Sequence, residues 1–292
     1  MSFKEGASEA KAKDEDIKVV ADIINMIEGN NSLERQLKVA IGLIYQTLTV
    51  AATFVGFCLN GLSALVCLGI VDQVEHQAAF GILQSITFIF FFALYNSNLD
   101  KMGIELSQAF GNKAYDRYKR ITTQGIIVVG VVFLVITMPI TLFAEAILIS
   151  IGVSESNSVI VGVAMRNCIP MMIISMIGDV IRTFCMAQGH ESLFGKISLF
   201  TTLICFICNY FFIVKYGMLI NGYVFATTIC YSINLAAAIY VISHTEPQTR
   251  GLVSWSEAMV GFKEFFTESI KFTLGSYAEY IGFETTSYFV AT

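Results

Sequence analysis

Long apolar runs separated by short polar breaks organise this chain from Leu37 to its end. The first, Leu37 to Val71, is too long for one upright span of about 20 residues and too short for two spans with a turn between them. Charge chooses between these readings. Arg35 and Lys38 flank the start of the run, and Lys101, Lys113, Arg117, Lys119 and Arg120 follow the next one, while residues 39–100 contain neither Lys nor Arg. If basic loops lie on the inner side, the chain crosses an even number of times between them. One span at about 45–70 and another at about 78–97 meet that condition.

The same reading puts a third span at about Ile121–Phe143, with Pro139 near its far end, and an acidic external loop at Ala144–Ser158. A fourth follows at about Val159–Met186, a fifth at Leu193–Val214 and a sixth at Gly222–Ile242. Four segments result: a polar cytosolic tail at 1–36, a six-helix lobe at 37–243, a cytosolic connection at 244–269, and a seventh spanning helix at 270–292. Within the tail, Ile17, Val20, Ile23, Ile24 and Ile27 predict a short amphipathic helix from Asp16 to Ile27; Met259, Phe262, Phe265 and Phe266 predict another in the connection.

Composition supports the membrane reading. The chain is 55% hydrophobic and 14% charged, against about 25% charged in ordinary soluble domains. The fold class is therefore all-α integral membrane protein, multi-pass, with the N-terminus expected in the cytosol and the chain in either a plasma or a vacuolar-type membrane. The acidic polar tail shows no cleavable secretory signal. With no basic stripe interleaved with aromatics, nucleic acid is not an expected partner. There is no nucleophile paired with a base and no metal-ligand cluster, so neither an enzyme, nor a cofactor, nor a metal is expected. The seven cysteines are scattered through apolar helices and read as free, packed thiols, including the Cys205/Cys208 pair at CxxC spacing.

Polar residues inside apolar helices are the candidate chemistry. Glu279 and Glu284 lie in the seventh span, where an ionised carboxylate costs several kcal/mol and is by default a site for a proton, an ion or a cationic ligand. The plainer alternative is that both face a wet interface or satisfy a neighbouring helix. Their spacing of five residues turns the helix by about 140°, so they need not share one face. Asp179 and Arg182, three apart, are placed to neutralise each other, a simpler role than lining a substrate path. Asn209 is either interhelical glue or a cavity-facing ligand. His190 reads as a solvated turn residue.

Several short motifs then resemble a known family, in order and over about 250 residues. They are Leu106-Ser-Gln-Ala-Phe-Gly-Asn-Lys-Ala-Tyr115, Thr123-Gln124-Gly125, Pro170, Arg182 and Met186-Ala187-Gln188-Gly189. Asn209-Tyr210 with Gly217 and Gly222-Tyr-Val-Phe-Ala-Thr227 follow, then Ala278-Glu279-Tyr-Ile-Gly-Phe-Glu284. The set resembles the multidrug and toxic compound extrusion (MATE) transporters, particularly their eukaryotic branch. The resemblance implies half of a two-lobed, twelve-helix fold: a six-helix transporter lobe plus a seventh transmembrane helix.

It also implies secondary active antiport, in which a small organic cation or amphiphilic solute leaves as protons or sodium enter, across a lipid bilayer. Glu279 and Glu284 fall on the family's seventh-span glutamates, with Glu279 the expected coupling residue; Asn209 stands where bacterial members carry a fifth-span acid. The bacterial first-span acid matches Ala64, or Ala52 in another register, so no proton site is expected there. The C-terminal lobe has no counterpart, and the chain is expected to be a fragment or a shortened product. Two rival readings are kept. A lipid or lipid-linked oligosaccharide flippase of the same superfamily would use Arg166, Arg182 and Lys215 in a basic cavity; a non-transporting membrane scaffold or regulator would fit the short length of the chain.

Overall fold

The computed structural model describes residues 32–71 and 74–291. The amphipathic helix expected at Asp16–Ile27 and the side chain of Glu284 lie outside the described residues. The described elements are helical, with no strand among them: α1 (Ser32–Ile70), α2 (Val74–Gly111), α3 (Tyr115–Leu142), α4 (Ala144–Ser150), α5 (Glu155–Met186), α6 (Glu191–Lys215) and α7 (Leu219–Ile242). The connection follows with a 3-10 turn (Pro247–Thr249) and α8 (Trp255–Ala258), and α9 (Phe262–Ala291) ends the description.

Two units can be distinguished, Met1–Ala51 and Ala52–Thr292. In the first, the described part is the start of α1, where Leu37, Ile41 and Ile44 are exposed. The second holds the helices that pack on one another.

α5 is its centre. Small residues let its neighbours approach closely, as expected where helices pack in lipid without a hydrophobic drive. Gly162 leaves the space occupied by Glu145, and Gly178 faces the backbone of Leu235 on α7, the helix that shares the most extensive contact with α5. Between them lies a core in which Met165, Met171, Met172, Leu83 and Phe91 are essentially inaccessible. Apolar residues turned outward, such as Leu134, Val135 and Leu203, expose more than 60% of their surface and suit a hydrocarbon solvent.

Three helices contain a π-helical stretch, Phe88–Ala93 in α2, Phe133–Thr137 in α3 and Tyr210–Lys215 in α6. The first two meet: Phe91 and Phe133 pack edge to face at 6.1 Å, and the Thr137 hydroxyl donates to the Phe90 carbonyl at 2.8 Å. Such a carbonyl, loosened from the ordinary ladder, needs a partner at membrane depth.

Among the described residues, five helices, α2, α3, α5, α6 and α7, are long and apolar enough to cross a membrane. Of the seven expected spans, the first is represented in that measure by the apolar stretch Cys58–Ile70, and the seventh is not among the five. Three boundaries differ from the sequence reading. α2 continues past residue 97 to Gly111, because the polar end carrying Lys101 and Glu105 is buried against α9. The expected loop at Ala144–Ser158 contains α4, whose Ala144 and Leu148 are buried. The amphipathic helix of the connection and the seventh span are one helix: Gly261, at φ 72°, makes the turn only a glycine adopts easily, and α9 then runs unbroken from Phe262, burying Phe265, Ser269 and Thr273 at four-residue spacing.

Candidate functional site

The polar residues of the lobe gather in three places. The first is a cluster between α1, α6 and α7. Asn209, fully buried, donates from Nδ2 to Asn60 Oδ1 at 3.1 Å and to Ser63 Oγ at 2.7 Å. The Cys205 thiol points at the same Asn60 oxygen at 2.9 Å, and Asn60 reaches Thr227 Oγ1 at 3.5 Å. Asn209 Oδ1 has no hydrogen-bond partner among the described residues. Tyr223 extends the row by donating to Gln84 at 3.3 Å, and Gln84 packs into the space that Gly61 leaves free. Asn209 thus ties helices together through its amide nitrogen, while its oxygen is an acceptor without a donor. Asn60 was not singled out from the sequence, although one amide in the middle of the run Leu37–Val71 is itself a signal at membrane depth.

The second place is charged. Asp179 and Arg182 on α5 form the expected ion pair, Nε to Oδ1 at 3.4 Å, and Tyr95 of α2 donates a 2.6 Å hydrogen bond to the other carboxylate oxygen. Tyr95 is buried among Phe91 and Phe92, so this bond is shielded from competing donors. The arrangement neutralises the acid and fixes α2 against α5.

The third place is where most of the motif residues fall: one end of the lobe, holding the connection. Lys101 donates to the Phe265 carbonyl at 3.2 Å and to Ser269 Oγ at 3.4 Å, lies 3.1 Å from Glu105 and 3.5 Å from Glu268, and sits 4.5 Å from the Phe265 ring centre. Gln124 donates to the carbonyls of Ala258 (2.8 Å) and Val260 (3.2 Å), and Thr123 Oγ1 accepts from the Val253 amide. Gly125 leaves room for Met102. Gln188 donates to Thr249 Oγ1 at 3.0 Å and accepts from the Glu246 amide at 3.0 Å, and it also reaches Tyr118, whose hydroxyl caps the carbonyl of Phe184. The motifs Thr123-Gln124-Gly125 and Met186-Ala187-Gln188-Gly189 therefore act as clasps. Lys101, read from the sequence as part of a basic loop, is a buried clasp residue.

Glu279 is exposed on α9, beside exposed Leu274, Ala278 and Ile281, and has neither a hydrogen-bond nor an ion-pair partner among the described residues. The structure does not bring Glu279 and Asn209 together in the described contacts; α9 packs on α2 and α3, whereas Asn209 meets α1.

The family model described as MatE matches residues 47–214, more than half of the chain. The chain belongs to the MatE family. No curated protein sequence matches this MatE chain significantly. Among solved structures, the eukaryotic MATE transporter AtDTX14 is similar at TM-score 0.69 and 18% identity, over 82% of this chain and 53% of that one. The Vibrio cholerae MATE transporter VcmN in its bent form is similar at TM-score 0.70 and 16% identity, over 85% of this chain and 56% of that one. A MOP superfamily transporter from Pyrococcus furiosus is similar at TM-score 0.69 and 12% identity, over 84% and 54%. The likeness is one of fold, and this MatE chain spans about half the length of those structures.

Proposed function

We propose that this MatE chain is one lobe of a secondary antiporter that exports an organic cation or amphiphile in exchange for protons, with Glu279 as the exchanging carboxylate. The supporting observation is its position: a carboxylate without a described partner, on a helix that runs among apolar neighbours. A carboxylate without a fixed counter-ion can take a proton or a cationic solute, but not both, and that competition makes the exchange obligatory. In the working transporter, the exposed side of α9 would face the second lobe, and Asn209 and Glu284 would contribute polar contacts to the path.

The flippase reading is less favoured, because two of its three cations are already paired. Arg166 lies 3.4 Å from Glu145 and Arg182 3.4 Å from Asp179. In liposomes carrying a pH gradient, the transporter containing this chain should move a fluorescent organic cation, and Glu279→Gln should abolish that movement while leaving the protein folded. Gradient-driven export that survives Glu279→Gln would refute the assignment. No movement of any solute by the unaltered protein would favour the scaffold reading instead.

A further inference from the structure

The turn between α2 and α3 opens onto a surface cleft of about 540 Å³, lined by Lys113, Tyr115, Asp116, Arg117 and Lys119, with Gln248 reaching in from the connection. Three cations against one acid make it net positive. The acid does little to cancel them: Asp116 is 98% exposed and 3.8 Å from Lys119, a pair that solvent weakens. The side chains of Lys113 and Arg117 have no hydrogen-bond or ion-pair partner among the described residues. The turn is nevertheless rigid. Lys113 is held at φ 54°, with its amide on the Phe110 carbonyl and the next amide on Ala109. The backbone that carries Lys113 is therefore held in one place.

An independent feature belongs to the same connection that supplies Gln248 to the cleft. Leu252, Trp255 and Val260 of the connection expose 63%, 68% and 58% of their surface, although the segment is pinned to α3 by Thr123 and Gln124. Exposed apolar and aromatic side chains on a segment that also lines a cluster of Lys and Arg are the pattern of a bilayer interface, where the ring sits at headgroup level and the cations meet lipid phosphate. A site for a free phosphate would have no use for the apolar rim. The basic turn also lies on the face that the distribution of Lys and Arg assigns to the anionic, cytosolic leaflet.

We propose that this cleft binds the phosphate-bearing headgroup of an anionic membrane lipid, held by Lys113, Arg117 and Lys119, with Leu252 and Trp255 against its acyl boundary. Because Gln248 belongs to the connection, the bound headgroup would bridge the α2–α3 turn and the segment leading into α9.

Trp255 is the single tryptophan and supplies the readout. The 292-residue chain in phosphatidylcholine nanodiscs is titrated with phosphatidylinositol phosphate brominated on its acyl chains, which quenches a neighbouring indole. Quenching should saturate. Replacing Lys113, Arg117 and Lys119 together by Gln should weaken binding by roughly a hundredfold, at about fivefold per basic residue. Lys113→Gln alone, a milder change on an exposed turn, should show its fivefold share. A control with the same change in charge, Lys196, Lys263 and Lys271 to Gln, should stay within about threefold of the unaltered chain, since those lysines lie outside the cleft. Equal binding by the triple cleft variant, or an equal loss in the control, overturns the site. Inositol phosphate or inorganic phosphate competing as effectively as the lipid overturns the lipid assignment in favour of a free phosphate.

Discussion

Replacing Lys101 by Met tests whether the connection is clasped to the lobe. Met keeps most of the aliphatic stem and removes the ammonium, so the packing of α2 is largely retained. The Lys101 and Glu105 side chains are only 10% and 19% exposed and lie 3.1 Å apart, so their attraction is partly shielded from water. Glu268, at 3.5 Å and 57% exposed, adds little. The loss therefore comprises the Glu105 partner and the two hydrogen bonds into α9, at the Phe265 carbonyl and Ser269. Stripping one partner from a buried pair costs about 3–5 kcal/mol. Glu105 can still turn toward solvent, so we expect roughly 2–3 kcal/mol, confined to the docking of α9.

Hydrogen exchange reads that quantity directly, because amides in the first turns of α9 exchange through local opening. Amides of residues 262–271 should exchange roughly 30- to 150-fold faster in Lys101→Met. Those in the centre of α5 and α7 should not change. Unaltered exchange at 262–271 in a folded variant would refute the clasp, and equal acceleration across α5 and α7 would show that Lys101 supports the whole lobe instead.

Two further substitutions probe the interior. Asn209→Leu removes donors to Asn60 and Ser63, and at about 0.6–1.7 kcal/mol per interhelical hydrogen bond in a membrane it should cost roughly 1–2 kcal/mol in denaturant-titrated unfolding; a more stable variant would instead indicate that the amide is kept for a ligand. Gly222→Ala would put a methyl group 2.9 Å from the Phe212 backbone and 3.0 Å from Ile213, and should destabilise by about 1–3 kcal/mol in thermal unfolding, whereas Gly130→Ala, with nothing within 4 Å, should be neutral or slightly stabilising.

The motif glutamines show where reading the chain by itself stops. Their order along the sequence was enough to indicate a family, because order and spacing are properties of the chain. Their work was not legible: Gln124 and Gln188 take the amides and carbonyls of residues 246–260, more than fifty positions away, and nothing local to either glutamine names those partners. Asp179 and Arg182 are the opposite case. Their pairing follows from a three-residue helical offset and was expected before any fold was known, although the third member, Tyr95, was not.

The sequence by itself determined that this is a helical membrane protein, the approximate positions of its apolar spans, and the acids and amides that such a protein must account for. Hydropathy and charge are summed along the chain, so neither needs a partner to be read. The tertiary structure alone decided that Lys101 is buried, that Asn60 completes the Asn209 cluster, and that the connection and the seventh helix share one continuous α9. Each of these depends on which surfaces meet, and a polar residue at membrane depth is loop, glue or site according to the neighbour that satisfies it.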